Sequence, residues 1–148
     1  MGARRTGKGA VVKSEIFVVE DQDAVRRTMV ELLNREAGLS VCGATDDADP
    51  ALAAIQQGRP DVALVDMRLK SSSGIELIRE LRRLYPALII VGMTMLDPVA
   101  YERQARTAGA NQFIVKQSGM PAIIDTIHRL LAEKEFGPET NPPKEDGL

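Results

Sequence analysis

The chain has 148 residues, enough for one domain that buries roughly 70% of the surface of its unfolded form. Hydrophobic residues make up 44% and aromatic residues 3%, so the core must be aliphatic. A net charge of −2, one cysteine and no apolar run near the ~20 residues of a bilayer span argue against a constitutive nucleic-acid binder, an internally disulfide-bonded scaffold and a membrane-embedded protein.

Residues 1–14 carry Arg4, Arg5, Lys8 and Lys13, lack the apolar segment of a signal peptide, and read as a flexible basic tail. The apolar run Ile16-Phe17-Val18-Val19 follows and ends in Glu20-Asp21. Val25, Met29, Leu32, Leu33 and Glu36 then recur at helical spacing, with Asp23 as the expected N-cap and Gly38 as the stop. Leu39 to Ala44 reads as a second strand, and Asp49-Pro50 as the opening of a short helix that Gly58-Arg59-Pro60 ends. The third strand is Asp61 to Val65, with Asp66 at its end, and the loop Met67 to Ser73 leads into a helix from Gly74 to Leu84. The serines at 71–73 make that loop polar, and it is expected to be mobile. A fourth strand, Leu88 to Met93, ends at Thr94; its helix begins near Asp97-Pro98 and stops before Gly109. A fifth strand, Gln112 to Val115, ends at Lys116, and a last helix runs from about Pro121 to Glu133. Residues 135–148, rich in Pro, Gly and charge, read as a flexible tail or linker, leaving one domain over 15–134.

Strands that are apolar throughout, rather than alternating, are buried on both faces. Five strand–helix units therefore predict an α/β fold, a doubly wound five-stranded parallel sheet with helices on both sides. Such a sheet releases its ligand groups at the carboxyl edge of the strands. Glu20, Asp21, Asp66, Thr94 and Lys116 would all converge there. Three carboxylates, a hydroxyl and an ammonium at one edge make a magnesium-dependent phosphoacceptor site.

Glu20-Asp21, Asp66 with Gly74 downstream, Thr94, and Gly109-Ala110 through Phe113 to Lys116, each in order and at a strand end, resemble the receiver domain of bacterial two-component response regulators. The resemblance covers about residues 15 to 133, and Met93-Thr94-Met95-Leu96-Asp97 looks closest to receivers of the NarL/FixJ type. It implies a flavodoxin-like sheet of strand order 2-1-3-4-5. It implies that Asp66 accepts a phosphoryl group from a phosphohistidine on a sensor histidine kinase or phosphotransfer protein, and that the chain catalyses this transfer and a slow loss of the group itself. Asp21 and Asp66 would hold Mg2+ directly, Glu20 through water, and Arg68 by its backbone carbonyl. Lys116 and Thr94 would bind the phosphoryl oxygens. Thr94 and Phe113 would then switch the surface made by the fourth helix, fifth strand and fifth helix, which would bind a downstream protein or a second copy. Neither a membrane nor direct nucleic-acid contact is implied, and the compartment would be cytoplasmic.

Two positions depart from the family pattern. Gln117 follows Lys116 where many receivers have a proline, often after a cis bond, which leaves the geometry of that peptide open. Lys70 stands where a proline is common. NarL/FixJ-type receivers usually precede a helix-turn-helix domain, so an isolated receiver half of a transcription factor is an alternative. A haloacid-dehalogenase-type phosphatase also uses an Asp after a strand, but it needs a second Asp two residues on, where this chain has Arg68. His128, the one histidine, lies mid-helix and reads as structural.

Overall fold

The structure, a computed structural model, describes residues 4–5, 11–95 and 98–136. Five strands, β1 (Ser14–Val19), β2 (Leu39–Thr45), β3 (Val62–Asp66), β4 (Ile89–Thr94) and β5 (Gln112–Val115), form a parallel sheet in the order 2-1-3-4-5. Between and after them run α1 (Asp23–Arg35), α2 (Ala48–Gly58), α3 (Gly74–Leu84), α4 (Pro98–Ala108) and α5 (Met120–Phe136). The predicted doubly wound architecture and its strand order are present.

Alternation along β1 shows how both faces are filled. Phe17 and Val19 enter an apolar layer with Ile55, Leu77, Ile78, Leu81 and Ala105, under α2, α3 and α4. Ile16 and Val18 enter the other layer with Met29, Leu33, Ile123 and Ile127, under α1 and α5. The inner strands β1, β3 and β4 are thus buried on two sides, which is why their sequences lack the polar alternation of a half-solvated strand, while the edge strand β2 is only half-buried.

Several boundaries differ from the sequence expectation. Helix α1 is preceded by Gln22 in extended conformation, with no side-chain cap, and Asp23 is its first residue. The Asp23 carboxylate pairs with Arg26 at 2.6 Å, and is drawn down from its ordinary value mainly by that hydrogen bond, instead of capping the helix. Helix α2 starts two residues earlier than Asp49-Pro50 suggested. Asp47 caps it by accepting from the Ala48 N–H, so Pro50 lies within the first turn, where a missing N–H costs nothing. At the ends of the domain set at 15–134, Ser14 already belongs to β1 and α5 continues to Phe136. Within the expected basic tail, Arg4–Arg5 pair antiparallel with Val11–Val12; the rest of residues 1–10, and the expected tail or linker from 137 to 148, lie outside the described residues. No described helix is long and apolar enough to cross a membrane.

The two edges of the molecule away from the strand ends are tied down separately. Register between β1 and β2 slips between Ile16 and Phe17, leaving Cys42 as an extra, exposed residue in the edge strand. Close to it, the Val41 N–H donates to Asn34 Oδ1 at 2.8 Å. At the amino edge of the sheet, Arg82 donates to the carbonyls of Gly109 at 2.9 Å, Pro86 at 2.8 Å and Leu88 at 2.7 Å, and to Asn111 Oδ1 at 2.7 Å. It thereby ties the ends of α3 and α4 to the start of β4, far from the carboxyl edge. His128 is likewise structural here, pairing with Glu36 at 3.1 Å and joining α5 to the end of α1.

Candidate functional site

Parallel pairing carries the ends of β1, β3, β4 and β5 to one edge, and the predicted residues arrive there together. Val19 is level with Val65, Asp66 with Met93, and Thr94 with Val115. Glu20, Asp21 and Asp66 each present a carboxylate oxygen within 4.8 Å of the others. Lys116 Nζ lies 2.6 Å from Glu20 Oε1 and 3.2 Å from Asp66 Oδ2. All three partners of this bridge are almost wholly inside: the Lys116 side chain is 7% exposed, Asp66 8% and Glu20 0%. Thr94 is buried at the end of β4, between them in the strand order.

The local backbone explains why these groups meet. The Glu20 N–H donates to the Thr45 carbonyl at 2.9 Å, and Arg26 Nη1 donates to the Glu20 carbonyl at 2.8 Å. Glu20 turns its second oxygen to the Gln22 N–H at 3.2 Å, so both of its carboxylate oxygens are engaged, while Asp21 next to it is half-buried. Beyond Asp66, the Met67 N–H donates to the Met93 carbonyl and the Gly74 N–H to the Met67 carbonyl, each at 2.9 Å. The start of α3 therefore packs directly on the backbone of the Asp66 strand end. Lys116 opens a 3-10 turn, Lys116–Ser118, and the peptide to Gln117 is trans. A cis bond there would cost ~2.5–4 kcal/mol without a proline to reduce it.

Charge is unbalanced in this cluster, with three carboxylates facing one ammonium. Burial and the neighbouring Glu20 charge push the Asp66 carboxyl up to about 6, against the opposing pull of Lys116, with Asp21 adding to the rise. The donor set suits a hard cation: oxygen ligands only, closely spaced, with excess negative charge that a divalent ion would relieve. No other group of three metal-binding side chains occurs among the described residues.

Stability should depend on pH through this carboxyl. The folded chain keeps a proton on Asp66 that the unfolded chain, with an ordinary carboxyl near 3.8, has already released. A native state that binds more protons loses stability as pH rises. In chelator, this contribution should be lost between about pH 4 and about pH 6 and be fully absent above that, on the order of 2 kcal/mol. Thermal melts of the parent minus those of Asp66→Asn should show this slope, with the variant melting a few °C higher at pH 7. A pH-independent difference would remove the raised carboxyl from the account.

Two more of the predicted residues fall outside the ion cluster. Phe113 is buried, in the layer that also holds Ala105 and the partly buried Tyr101. Arg68 is exposed and its backbone bridges to Ser73, closing the loop after Asp66 on itself. The polar loop itself is not free of contacts, contrary to its expected mobility. Asp47 accepts hydrogen bonds from it, and the Lys70 N–H donates to the Asp46 carbonyl at 3.0 Å. Sequence reading missed Asp47, Arg26 and Arg82. Asp47 had a signal, a carboxylate just after a strand, but the Asp49-Pro50 pair drew the helix start past it. Arg26 and Arg82 had little, because the bonds that matter there, to the Glu20 carbonyl and to the carbonyls of Pro86, Leu88 and Gly109, are to backbone.

A family model described as the response regulator receiver domain matches residues 16–128. Response regulator GacA of Pseudomonas viridiflava is 27% identical over 121 residues, covering 82% of this chain and 56% of GacA. The DNA-binding transcriptional activator DevR/DosR of Mycobacterium tuberculosis is 36% identical over 102 residues, covering 69% of this chain and 47% of that protein. Among solved structures, a CheY-like response regulator receiver domain protein from Methanospirillum hungatei JF-1 superposes with a TM-score of 0.77 at 26% identity, covering 83% of this chain and 97% of that one. The chain spans about half the length of the curated relatives it matches.

Proposed function

Since the chain belongs to the response regulator receiver domain family, we propose that it is a phosphorylation-switched receiver in which Asp66 takes a phosphoryl group from a phosphohistidine of a sensor histidine kinase or phosphotransfer protein. The observation that carries this reading is the buried Lys116 bridge between Glu20 and Asp66, with Asp21 alongside at the carboxyl edge of the sheet. An Asp66 oxygen attacks the phosphorus, the P–N bond to the donor imidazole breaks, and the imidazole nitrogen takes up a proton. Asp66 must be ionised to attack, and in the bare site its carboxyl is held up at about 6. Asp21, Asp66 and the Arg68 carbonyl would hold Mg2+, with Glu20 acting through water because both its oxygens are already engaged. Bound there, Mg2+ neutralises charge on the transferring oxygens and favours the ionised carboxylate. Lys116, already beside Asp66, pairs with one phosphoryl oxygen, and the Thr94 hydroxyl donates to another.

Output leaves through α4, β5 and α5. Phosphorylation adds roughly −1.5 to −2 charge, which draws Thr94 toward the phosphoryl group and lets Phe113 repack beside Tyr101 of α4. Val99 (80% exposed) and Met95 stand at the start of this face, and Glu102 and Arg106 form an ion pair along it. Together with Arg103 on α4 and Asp125, Arg129 and Glu133 on α5, it offers mixed charge for a reversible contact with a downstream protein or a second copy. A cytoplasmic compartment fits the kinase donor. The short span relative to DevR/DosR favours a second reading, in which the chain is the receiver half of a DNA-binding regulator.

Incubation with acetyl phosphate and magnesium should add a single phosphoryl group that hydroxylamine removes; no uptake would overturn the reading. Magnesium titration by calorimetry should separate the ligands. Asp21→Ala should weaken binding at least about tenfold, and Glu20→Ala less. Equal affinity in Asp21→Ala and parent would remove Asp21 from the site.

A further inference from the structure

The loop from Met67 to Ser73 has few packing contacts to hold it. Arg68, Lys70, Ser71 and Ser72 are exposed, and Leu69 is the one buried side chain between Arg68 and Ser72. Its near end is fixed by β4 and α3, through the bonds at Met67 and Gly74. Its tip is held from within, by the Arg68–Ser73 bridge and the Leu69 N–H on the Ser72 carbonyl at 3.2 Å, and from outside by Asp47. That carboxylate accepts from the Ser71 N–H at 3.2 Å and from both hydroxyls, Ser71 Oγ and Ser72 Oγ. The Ala48 N–H donates to Asp47 at 3.0 Å and also to Ser72 Oγ at 3.2 Å, and Lys70 reaches Asp46 through its N–H and, at 3.9 Å, its ammonium.

We propose, resting on the phosphoacceptor reading of the site, that Asp47 is a positioning residue for the cation site, fixing through Ser71 and Ser72 the loop that carries the Arg68 carbonyl. Capping α2 needs only the contact to the Ala48 N–H; the other three donors come from the loop, so a cap alone does not account for the arrangement. These donors, the Ser71 hydroxyl first, hold the Asp47 carboxyl far below the usual range, so the clamp stays ionised at any ordinary pH. Without these donors the exposed tip of the loop would be free to rock about its base, and whatever ordering the cation then required would oppose binding. Anchored in advance, the loop presents its carbonyl without that loss. Residues that orient metal ligands from behind are commonly worth 10–100-fold in metal affinity.

A double-mutant cycle tests the clamp in the full chain, with magnesium affinity and amide exchange of residues 69–73 as readouts. Asp47→Ala should weaken magnesium roughly tenfold and raise exchange in the loop, and Ser71→Ala/Ser72→Ala should do the same. In the serine-free background, Asp47→Ala should change magnesium affinity no further, although the lost cap still lowers Tm. Losses that multiply, or an Asp47→Ala chain with parental affinity and only a lower Tm, would overturn the positioning role. Should Asp47→Ala fail to fold, the serine pair decides, because parental affinity there is enough to reject the clamp. A parent that binds no magnesium overturns the phosphoacceptor reading and this one with it; a binding parent with unaffected variants overturns this one alone.

Discussion

Asp66→Asn should take up no hydroxylamine-labile phosphoryl group from acetyl phosphate, with the labelling rate reduced by at least about 10³-fold. Losses of that size are what removal of a nucleophile produces when no neighbouring group is placed to replace it. The substitution keeps the size and one oxygen of the side chain, so Lys116 retains a partner and the strand end keeps its packing. It also removes a buried negative charge next to Glu20 and Asp21, which should make the metal-free fold more stable. A variant that melts higher than the parent at pH 7 and yet does not label separates chemistry from folding. Labelling at the parental rate would mean that another side chain accepts the group. Glu20 is a poor substitute, because its two oxygens are committed to Lys116 and Gln22.

Gly74→Ala should be the most damaging glycine-to-alanine change among the described residues, costing about 2–4 kcal/mol and roughly 5–15 °C in Tm. A Cβ on Gly74 would lie 2.0 Å from the Asp66 carbonyl oxygen, 2.8 Å from Met67 Cα and 2.9 Å from the Asp66 carbonyl carbon. All three are backbone atoms of the strand end, itself pinned by the Met67 bond to β4, so they cannot move aside as a side chain would. Alanine elsewhere in a helix usually helps, by about 0.5–1 kcal/mol relative to glycine. Here the sign reverses because the helix start touches a neighbouring backbone. Whatever relief occurs must shift α3 or Asp66 itself, so phosphoryl uptake should slow along with the loss of stability. A Tm within measurement error of the parent would show that the strand end has slack.

The carboxyl-edge cluster was legible in the sequence because each member ends an apolar run, and a parallel sheet aligns such ends whatever the helices between them do. Glu20, Asp21, Asp66, Thr94 and Lys116 needed only the strand boundaries, which buried aliphatic runs mark well. Helix starts were less legible. Asp23 looked like a cap, but a carboxylate three residues before an arginine has a competing partner, and Arg26 takes it. Asp49 looked like the start of α2 because of Pro50, yet the first turn tolerates proline at more than one position. The anchored loop after Asp66 was illegible for another reason. Three serines in a row carry no information about a carboxylate more than twenty residues away, and only tertiary contact supplies it.

The extra residue at Cys42 has a consequence for how copies of this protein avoid one another. A parallel sheet left open at β2 presents a ladder of amide and carbonyl groups to any passing extended segment, which is how aggregates nucleate. Here the rise of that ladder is broken in mid-strand, and the Val41 amide is already taken by Asn34. An incoming strand could stay in register on one side of Cys42 only, with too few bonds on either side to hold it. The irregular edge strand thus offers an incoming strand no continuous ladder to extend, with neither a charge nor a proline placed along it.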